Sequence, residues 1–337
     1  VLSIFRRFSS PVIWESDLST DDYLFLFLND NDCFTRWDSC QILMREIIKN
    51  NINNHVNYSL EYSFINAIKE TIKSLEINDS FLLSTLLTIP GLAELEPLFE
   101  KVDPINIYKE SLNFQVLIGN KIHQELRVLS ENILVNINQE WPMGRGERKL
   151  LGTIWSFLAL AGDEGIKKDC VEAIVSSSMT MARSALRALK PLDSPETEEA
   201  SNLFYDLWKE NPVVLDSWFA YEASRPHKQG INVIEKLLAH SKFDWKAPNA
   251  IRAVIGGFSK NIESFHSIDG QGYLFMAEKI IEVDKINPIT ASRMVKIFSK
   301  WKTYIDKNKE EMYKSILKIN KANISSNTRE VVELILK

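Results

Sequence analysis

The sequence predicts an all-α chain, an irregular superhelix of short helices. Three observations carry this. Apolar residues recur at spacings of three and four along almost the whole length. Ser, Asp and Asn precede these stretches and Pro or Gly follow them, which marks out roughly sixteen or more helices with short links. Only 12 glycines occur in 337 residues, too few for a turn-rich β fold. Two to three helices per about 40 residues is the rhythm of an armadillo- or HEAT-like helical solenoid, although no strict repeat is present.

The start of the chain departs from this pattern. Val1–Trp14 reads as strand material with Pro11 at an edge. A lone strand has no partner in a helical protein. Residues 1–15 are therefore expected to be the end of a preceding β domain in a longer polypeptide, and residues 16–337 to be the helical domain.

From there the helices follow in order. Ser19-Thr20-Asp21-Asp22 is a start signal before Tyr23–Leu28. Asn29–Asp32 breaks that helix and caps the next, Phe34–Lys49, where Trp37, Cys40, Met44 and Ile47 form one apolar face. Asn50–Asn57 is a polar loop. Tyr58–Leu75 turns Phe64, Ile68, Ile72 and Leu75 inward. Asn78-Asp79-Ser80 opens a short helix that stops before Pro90-Gly91, and another short one ends near Phe99. Asp103-Pro104 is a strong start. The apolar period after it runs through Ile122, Leu126, Leu129, Ile133 and Ile137; unbroken, this helix would span about 50 Å. Gly119 marks either a kink or a break.

Trp141–Gly146 is a loop. Leu150–Ala161 is apolar almost all round, so it should be a central buried helix ended by Gly162. Helices over Glu164–Ser178 and Met181–Lys190 follow, then a linker at Pro191–Pro195. Glu196–Glu210, Val213–Ala223 and Ile231–His240 are helical, with a break at Asn211-Pro212 and with Pro226 and Gly230 before the third. Ala247–Trp301 stands out for its helix starts, a glycine turn at Asp269–Gly272 and two arginines that apolar packing does not explain. Two or three helices complete the chain, the last capped at Asn327–Glu330.

Composition excludes several function classes. The hydrophobic and charged fractions, 45% and 25%, are those of a soluble globular protein. The net charge of -5 gives no global basic field for nucleic acid or an anionic membrane. No apolar run reaches the ~20 residues of a membrane helix. Cys33, Cys40 and Cys170 do not form a disulfide framework and read as free, buried thiols in a reducing cytoplasm. The eight tryptophans read as core. The lysines of residues 302–321 are interleaved with acids and read as a solvated face.

The residues alone give no catalytic machine. The five histidines, His55, His123, His227, His240 and His266, lie too far apart for a zinc motif. There is no nucleophile elbow and no P-loop, and Gly270-Gln271-Gly272 lacks the third glycine of a nucleotide loop. Asp269–Gly272 reads as a tight turn and His266 as a structural, hydrogen-bonded histidine.

Several separate words nevertheless point one way. Pro248-Asn249-x-x-Arg252 opens a helix, and Ile255-Gly256-x-Phe258 follows. Then come Phe265-His266, Asp269-Gly270-x-Gly272-Tyr273-x-Phe275 and Asn287-Pro288-x-x-Ala291-Ser292-Arg293. Earlier stand Asp32-x-Phe34-x-Arg36-Trp37 and Leu215-Asp216-Ser217-Trp218-Phe219, and Ser3–Val12 looks like the last strands of a small β-sandwich domain. Together they resemble the C-terminal helical domain of the bacterial-type aminopeptidase N family of zinc metallo-aminopeptidases, over essentially the whole chain.

The resemblance implies a bowl-shaped helical domain that caps an active-site chamber, admits peptides and excludes folded proteins. Its partners would be the catalytic and β domains of the same polypeptide, and peptide substrates. The G-x-M-E-N and H-E-x-x-H motifs of the family do not occur here. Zinc and the general base would thus lie outside this chain, which would be inactive alone. Two arginines of the family's bowl map onto Arg252 and Arg293, where forked hydrogen bonds could hold peptide carbonyls or a terminal carboxylate. The plain alternative for each is a salt bridge within its own domain. The alternative for the whole chain is a free-standing helical-repeat scaffold that binds a protein partner.

Overall fold

A computed structural model describes residues 1–9, 12, 15–75, 79–137, 142–176, 178–227 and 229–337. Those residues are helical almost throughout, and they form two compact units. The first comprises Val1–Leu98 and Asn106–Leu189, the second Phe99–Ile105 and Lys190–Lys337.

The first unit holds α1 (Thr20–Asn29), α2 (Cys33–Ile52), α3 (Tyr58–Leu75), α4 (Ser80–Leu86) and α5 (Leu92–Leu95). It continues with most of α6 (Pro104–Lys121), then α7 (His123–Asn136), α8 (Arg145–Leu160), α9 (Glu164–Ile174) and α10 (Met179–Leu189). Their starts are set locally. Ser19 and Asp22 form a reciprocal capping box on α1, and Asp32, Asp79 and Asp163 accept from the Thr35, Leu82 and Ile166 amides. The expected central helix is α8, which packs on α4, α7, α9 and α10 and buries ten of its sixteen residues. Gly162 ends it with φ +86°.

The second unit holds α11 (Pro195–Trp208), α12 (Pro212–Ser224), α13 (Ile231–Leu238), α14 (Pro248–Ile251) and α15 (Ile262–Phe265). It ends with α16 (Gln271–Asp284), α17 (Pro288–Val295), α18 (Asp306–Lys321) and α19 (Ser326–Leu336). Ser194, Asn211 and Asn287 cap α11, α12 and α17, each followed by Pro at the first helical position. A parallel bridge between Val102 and Tyr304 ties Phe99–Ile105 to this unit: the Val102 amide donates to the Thr303 carbonyl at 2.8 Å, and the Ile305 amide to the Val102 carbonyl at 2.9 Å. That bridge explains why a segment ahead of α6 belongs with residues 190–337.

Several sequence expectations need correction. No strand occurs among the described residues of Val1–Trp14. Residues 6–8 form a turn, with the Arg7 amide donating to the Asp32 carboxylate, since the described residues offer no partner strand. Ser10, Pro11, Ile13 and Trp14 lie outside the described residues, as do Asn78 of the expected start before α4, Asn138 and Trp141, the first residue of the expected loop. Helix α2 runs on to Ile52, into the expected loop. The last helix is capped by Ser325, two residues ahead of the expected signal. Cys40 and Cys170 are buried free thiols, but Cys33 is exposed. Trp155 and Trp301 are buried, whereas Trp37, Trp208, Trp218 and Trp245 are only half-buried.

The break after Asp103 falls at Ile122 (φ -123°, ψ 27°), not at Gly119. Gly119 has another task. A Cβ there would sit 2.7 Å from the Phe157 carbonyl oxygen and 3.2 Å from the Ala161 methyl. The backbones of α6 and α8 touch at this point. In Gly119→Ala the helical propensity gain of about 1 kcal/mol opposes an overpacking cost of about 1–3 kcal/mol against a backbone atom that cannot swing away. Net destabilisation is expected, read as a lower urea midpoint with an unchanged m-value.

Candidate functional site

The stretch around Arg252 is set by packing on one side and left bare on the other. Pro248 opens α14, and the helix then widens into a π-helical turn over Arg252–Gly256. Ile251, Val254, Ile255 and Phe258 are fully buried. A Cβ on Gly257 would lie 3.1 Å from the Ala223 methyl, so this segment rests closely on α12. Arg252 is the exposed residue between them, and its guanidinium donates to the Asn249 side-chain oxygen.

Arg293 is placed by α17. Asn287 accepts from the Thr290 amide at 3.0 Å, and Thr290, Ala291, Met294 and Val295 turn inward. Arg293 is exposed in the last turn, where a cation suits the negative end of the helix dipole. Neither arginine forms an ion pair among the described residues. Both stand in the second unit, on different helices.

The Asp269–Gly272 turn is a corner. The Asp269 carboxylate accepts from Ser267 Oγ at 2.8 Å and the Gln271 amide at 3.1 Å, and these bonds hold its pKa below the ordinary carboxylate value. Gly270 has φ +74°. A Cβ on Gly272 would fall 2.4 Å from the carbonyl oxygens of Ser264 and Phe265. Only glycine lets α16 start against the end of α15.

That contact delivers Tyr273 into a buried polar cluster. Asn308 Nδ2 donates to Tyr273 Oη at 2.8 Å and to the His266 carbonyl at 2.9 Å. Tyr273 Oη and His266 Nδ1 are 2.8 Å apart. Tyr273 Oη accepts from Asn308 and still has its own hydrogen to give, so it can donate to an unprotonated His266 Nδ1. Burial pushes the His266 pKa down to about 3. His266 is therefore structural, as expected.

Sequence reasoning missed a second polar cluster, buried at Ser201, Glu222 and Arg225 and open at Glu198 on its edge. Arg225 Nε donates to Glu222 Oε1 at 3.0 Å, and Arg225 Nη2 donates to Glu198 Oε1 at 2.7 Å. Ser201 Oγ donates to Glu222 Oε1 at 2.6 Å and receives Trp218 Nε1 at 3.0 Å. Asn261, which caps α15, donates to the Arg225 carbonyl at 2.8 Å. Burial disfavours the charge on Arg225, but Glu222 and Glu198 outweigh it and raise its pKa. The spacings Glu198-x-x-Ser201 and Glu222-x-x-Arg225 were the available signal. In a third cluster, buried Asp284 accepts from Ser325 and Thr328 at the start of α19.

These clusters lock helices together: their hydroxyls bond to buried carboxylates or to His266. Among the described residues no three His, Cys, Asp or Glu side chains gather as metal ligands. No helix of the described residues is long and apolar enough to cross a membrane. A groove of about 480 Å³ in the first unit is lined by Ile72, Lys73, Glu125 and Val128 among others, and Glu125 is paired with Lys69 at 3.0 Å.

Comparison with known proteins gives a consistent answer. Residues 20–337 match the family described as "Domain of unknown function (DUF3458_C) ARM repeats". Aminopeptidase N of Escherichia coli is 29% identical over 323 residues, covering 93% of this chain and 36% of the relative. Aminopeptidase N of Caulobacter vibrioides is 27% identical, covering 90% and 36%. Among solved structures, Legionella pneumophila aminopeptidase A in complex with aspartic acid superposes with a TM-score of 0.86 at 25% identity, over 99% of this chain and 40% of that one. The chain thus spans a little over a third of the length of the curated relatives it matches.

The buried His266 predicts a pH dependence. An unfolded histidine takes up a proton near pH 6.5, while the folded one stays neutral until about pH 3. The unfolded state therefore binds more protons between those values. This contribution to stability is intact above pH 6.5 and falls as pH drops towards 3, by up to about 1.4 kcal/mol per unit. The expected outcome is that the stability gap between the native chain and His266→Gln narrows from pH 7.5 to pH 5.5 in urea titrations. A constant gap would contradict it.

Proposed function

This chain belongs to the DUF3458_C ARM-repeat family, and from that membership we propose that it is the C-terminal helical part of a zinc-dependent aminopeptidase of the aminopeptidase N type. The observation that carries the reading is the coverage. Two aminopeptidase N relatives match over 90% or more of this chain, while the match takes up 36% of each relative. An armadillo-like array joined to other domains of the same polypeptide accounts for both figures.

In this proposal the helical part caps the active-site chamber and governs which substrates enter. Peptides pass and folded proteins do not. Arg252 and Arg293 hold the carboxyl-side portion of the peptide: each exposed guanidinium can fork onto a carbonyl or a terminal carboxylate. Among the described residues neither has a carboxylate partner, which supports this, because an ion-paired arginine would have to break one salt bridge to make another.

In this reading the zinc ligands lie in the rest of the polypeptide, because the H-E-x-x-H motif of the resembled family does not occur in this sequence. When bound there, zinc would polarise the scissile carbonyl and activate a water. This chain would bind and orient the peptide and would be inactive alone. The free cysteines fit a reducing cytoplasm.

Two measurements test the proposal. In the full-length protein, Arg252→Ala should raise KM for tripeptides about tenfold, more than for an alanyl arylamide, which has nothing to present to the guanidinium. Equal effects on both substrates would refute the assigned role. The 337-residue chain on its own should bind no stoichiometric zinc and cleave no alanyl arylamide. Turnover by the isolated chain would overturn the division of labour.

A further inference from the structure

We infer that Asn249 is a positioning residue for Arg252, setting the direction in which its guanidinium meets a peptide. The inference rests on the peptide-binding role proposed for Arg252 and goes beyond it.

The argument starts from the backbone. Ile251, Ala253, Val254, Ile255, Gly257 and Phe258 are all buried. They fix one side of the segment, and Arg252 emerges on the other. Its neighbours along the helix are Asn249, three residues before, and Gly256, four after. Gly256 has no side chain, and a Cβ placed there would have only the Arg252 Cβ within 4 Å, at 3.9 Å. The next turn therefore gives the arginine nothing to lean on. Helical side chains slope towards the N-terminus, and here the slope brings Arg252 Nη2 onto Asn249 Oδ1.

The chemistry of the partner matters. A carboxylate in this place would neutralise the guanidinium and compete with an incoming carboxylate. An amide oxygen holds one N–H without cancelling the charge, and the remaining donors stay available. Asn249 is itself exposed, so it serves no packing need. The π-helical turn beginning at Arg252 belongs to the same picture, since such turns interrupt α-helices frequently at functional sites.

The test is a double-mutant cycle in the full-length protein, with a tripeptide and an alanyl arylamide as substrates. Asn249→Ala should raise KM for the tripeptide about three- to tenfold, more than for the arylamide, with the thermal midpoint unchanged. Adding Asn249→Ala to Arg252→Ala should cost nothing further, because the residue acts through the arginine. If Arg252→Ala raises the tripeptide KM and Asn249→Ala does not, or if the two effects add, the positioning role is refuted while the role of Arg252 stands. If Arg252→Ala itself leaves tripeptide KM unchanged, the peptide-binding reading falls and this inference falls with it.

Discussion

Helix backbones in this chain touch one another directly, and the rest of the structure depends on that contact. A methyl at Gly119 would meet the Phe157 carbonyl, and one at Gly272 would meet the carbonyls of Ser264 and Phe265. An all-α chain has no sheet to serve as a common wall, so each helix must bury its apolar stripe on another helix. The closer two backbones approach, the more of each stripe leaves water. In the first unit this lets α8 stand amid four neighbours with most of its surface covered. In the second it fixes where α16 begins, and so where Tyr273, its third residue, reaches His266 and Asn308.

Apolar stripes say that helices pack, but they tolerate rotation and sliding. Buried polar clusters do not. The Glu198–Ser201–Glu222–Arg225 cluster joins α11 to α12 and reaches Asn261 at the start of α15. Asp284 joins the end of α16 to the start of α19. A buried ion pair adds little net stability, because both charges have lost their water. Leaving a buried member such as Glu222, Arg225 or Asp284 unpaired costs far more, so each cluster favours one arrangement of its helices.

How legible all this was in the sequence follows from how local each feature is. Helix starts at Ser19, Asp32, Asp79 and Asn287 were readable because the side chain bonds an amide three residues on, whereas Asn211, read only as a break, caps α12 in the same way. The burial of α8 was readable because its stretch from Leu150 onward is apolar on nearly every side. Gly119 misled because its partner, Phe157, lies on another helix and the break fell at Ile122 instead. The placing of Phe99–Ile105 in the second unit was hidden for the same reason: it turns on a bridge from Val102 to Tyr304. The π-helical turn at Arg252 had no side-chain signature at all. For Arg252 and Arg293 the resemblance supplied positions. Pattern said only that core packing did not explain them, and their lack of carboxylate partners required coordinates.

Three arginines of the second unit show how environment divides one residue type. Arg225 is buried between two carboxylates, and its charge is spent on holding helices together. Arg252 leans on one neutral amide oxygen, and Arg293 forms no ion pair among the described residues. This is not for want of acids, since 45 carboxylates outnumber 40 lysines and arginines. A surface carboxylate would gain little from either arginine in water, where an exposed pair is worth about 0–1 kcal/mol. The same guanidinium attracts an anion far more strongly once water is excluded around it. An exposed cation without a carboxylate partner is therefore weakly used in this chain alone. Under the proposed function it would become valuable once another domain covered it and a peptide carried the opposite charge into the enclosed space.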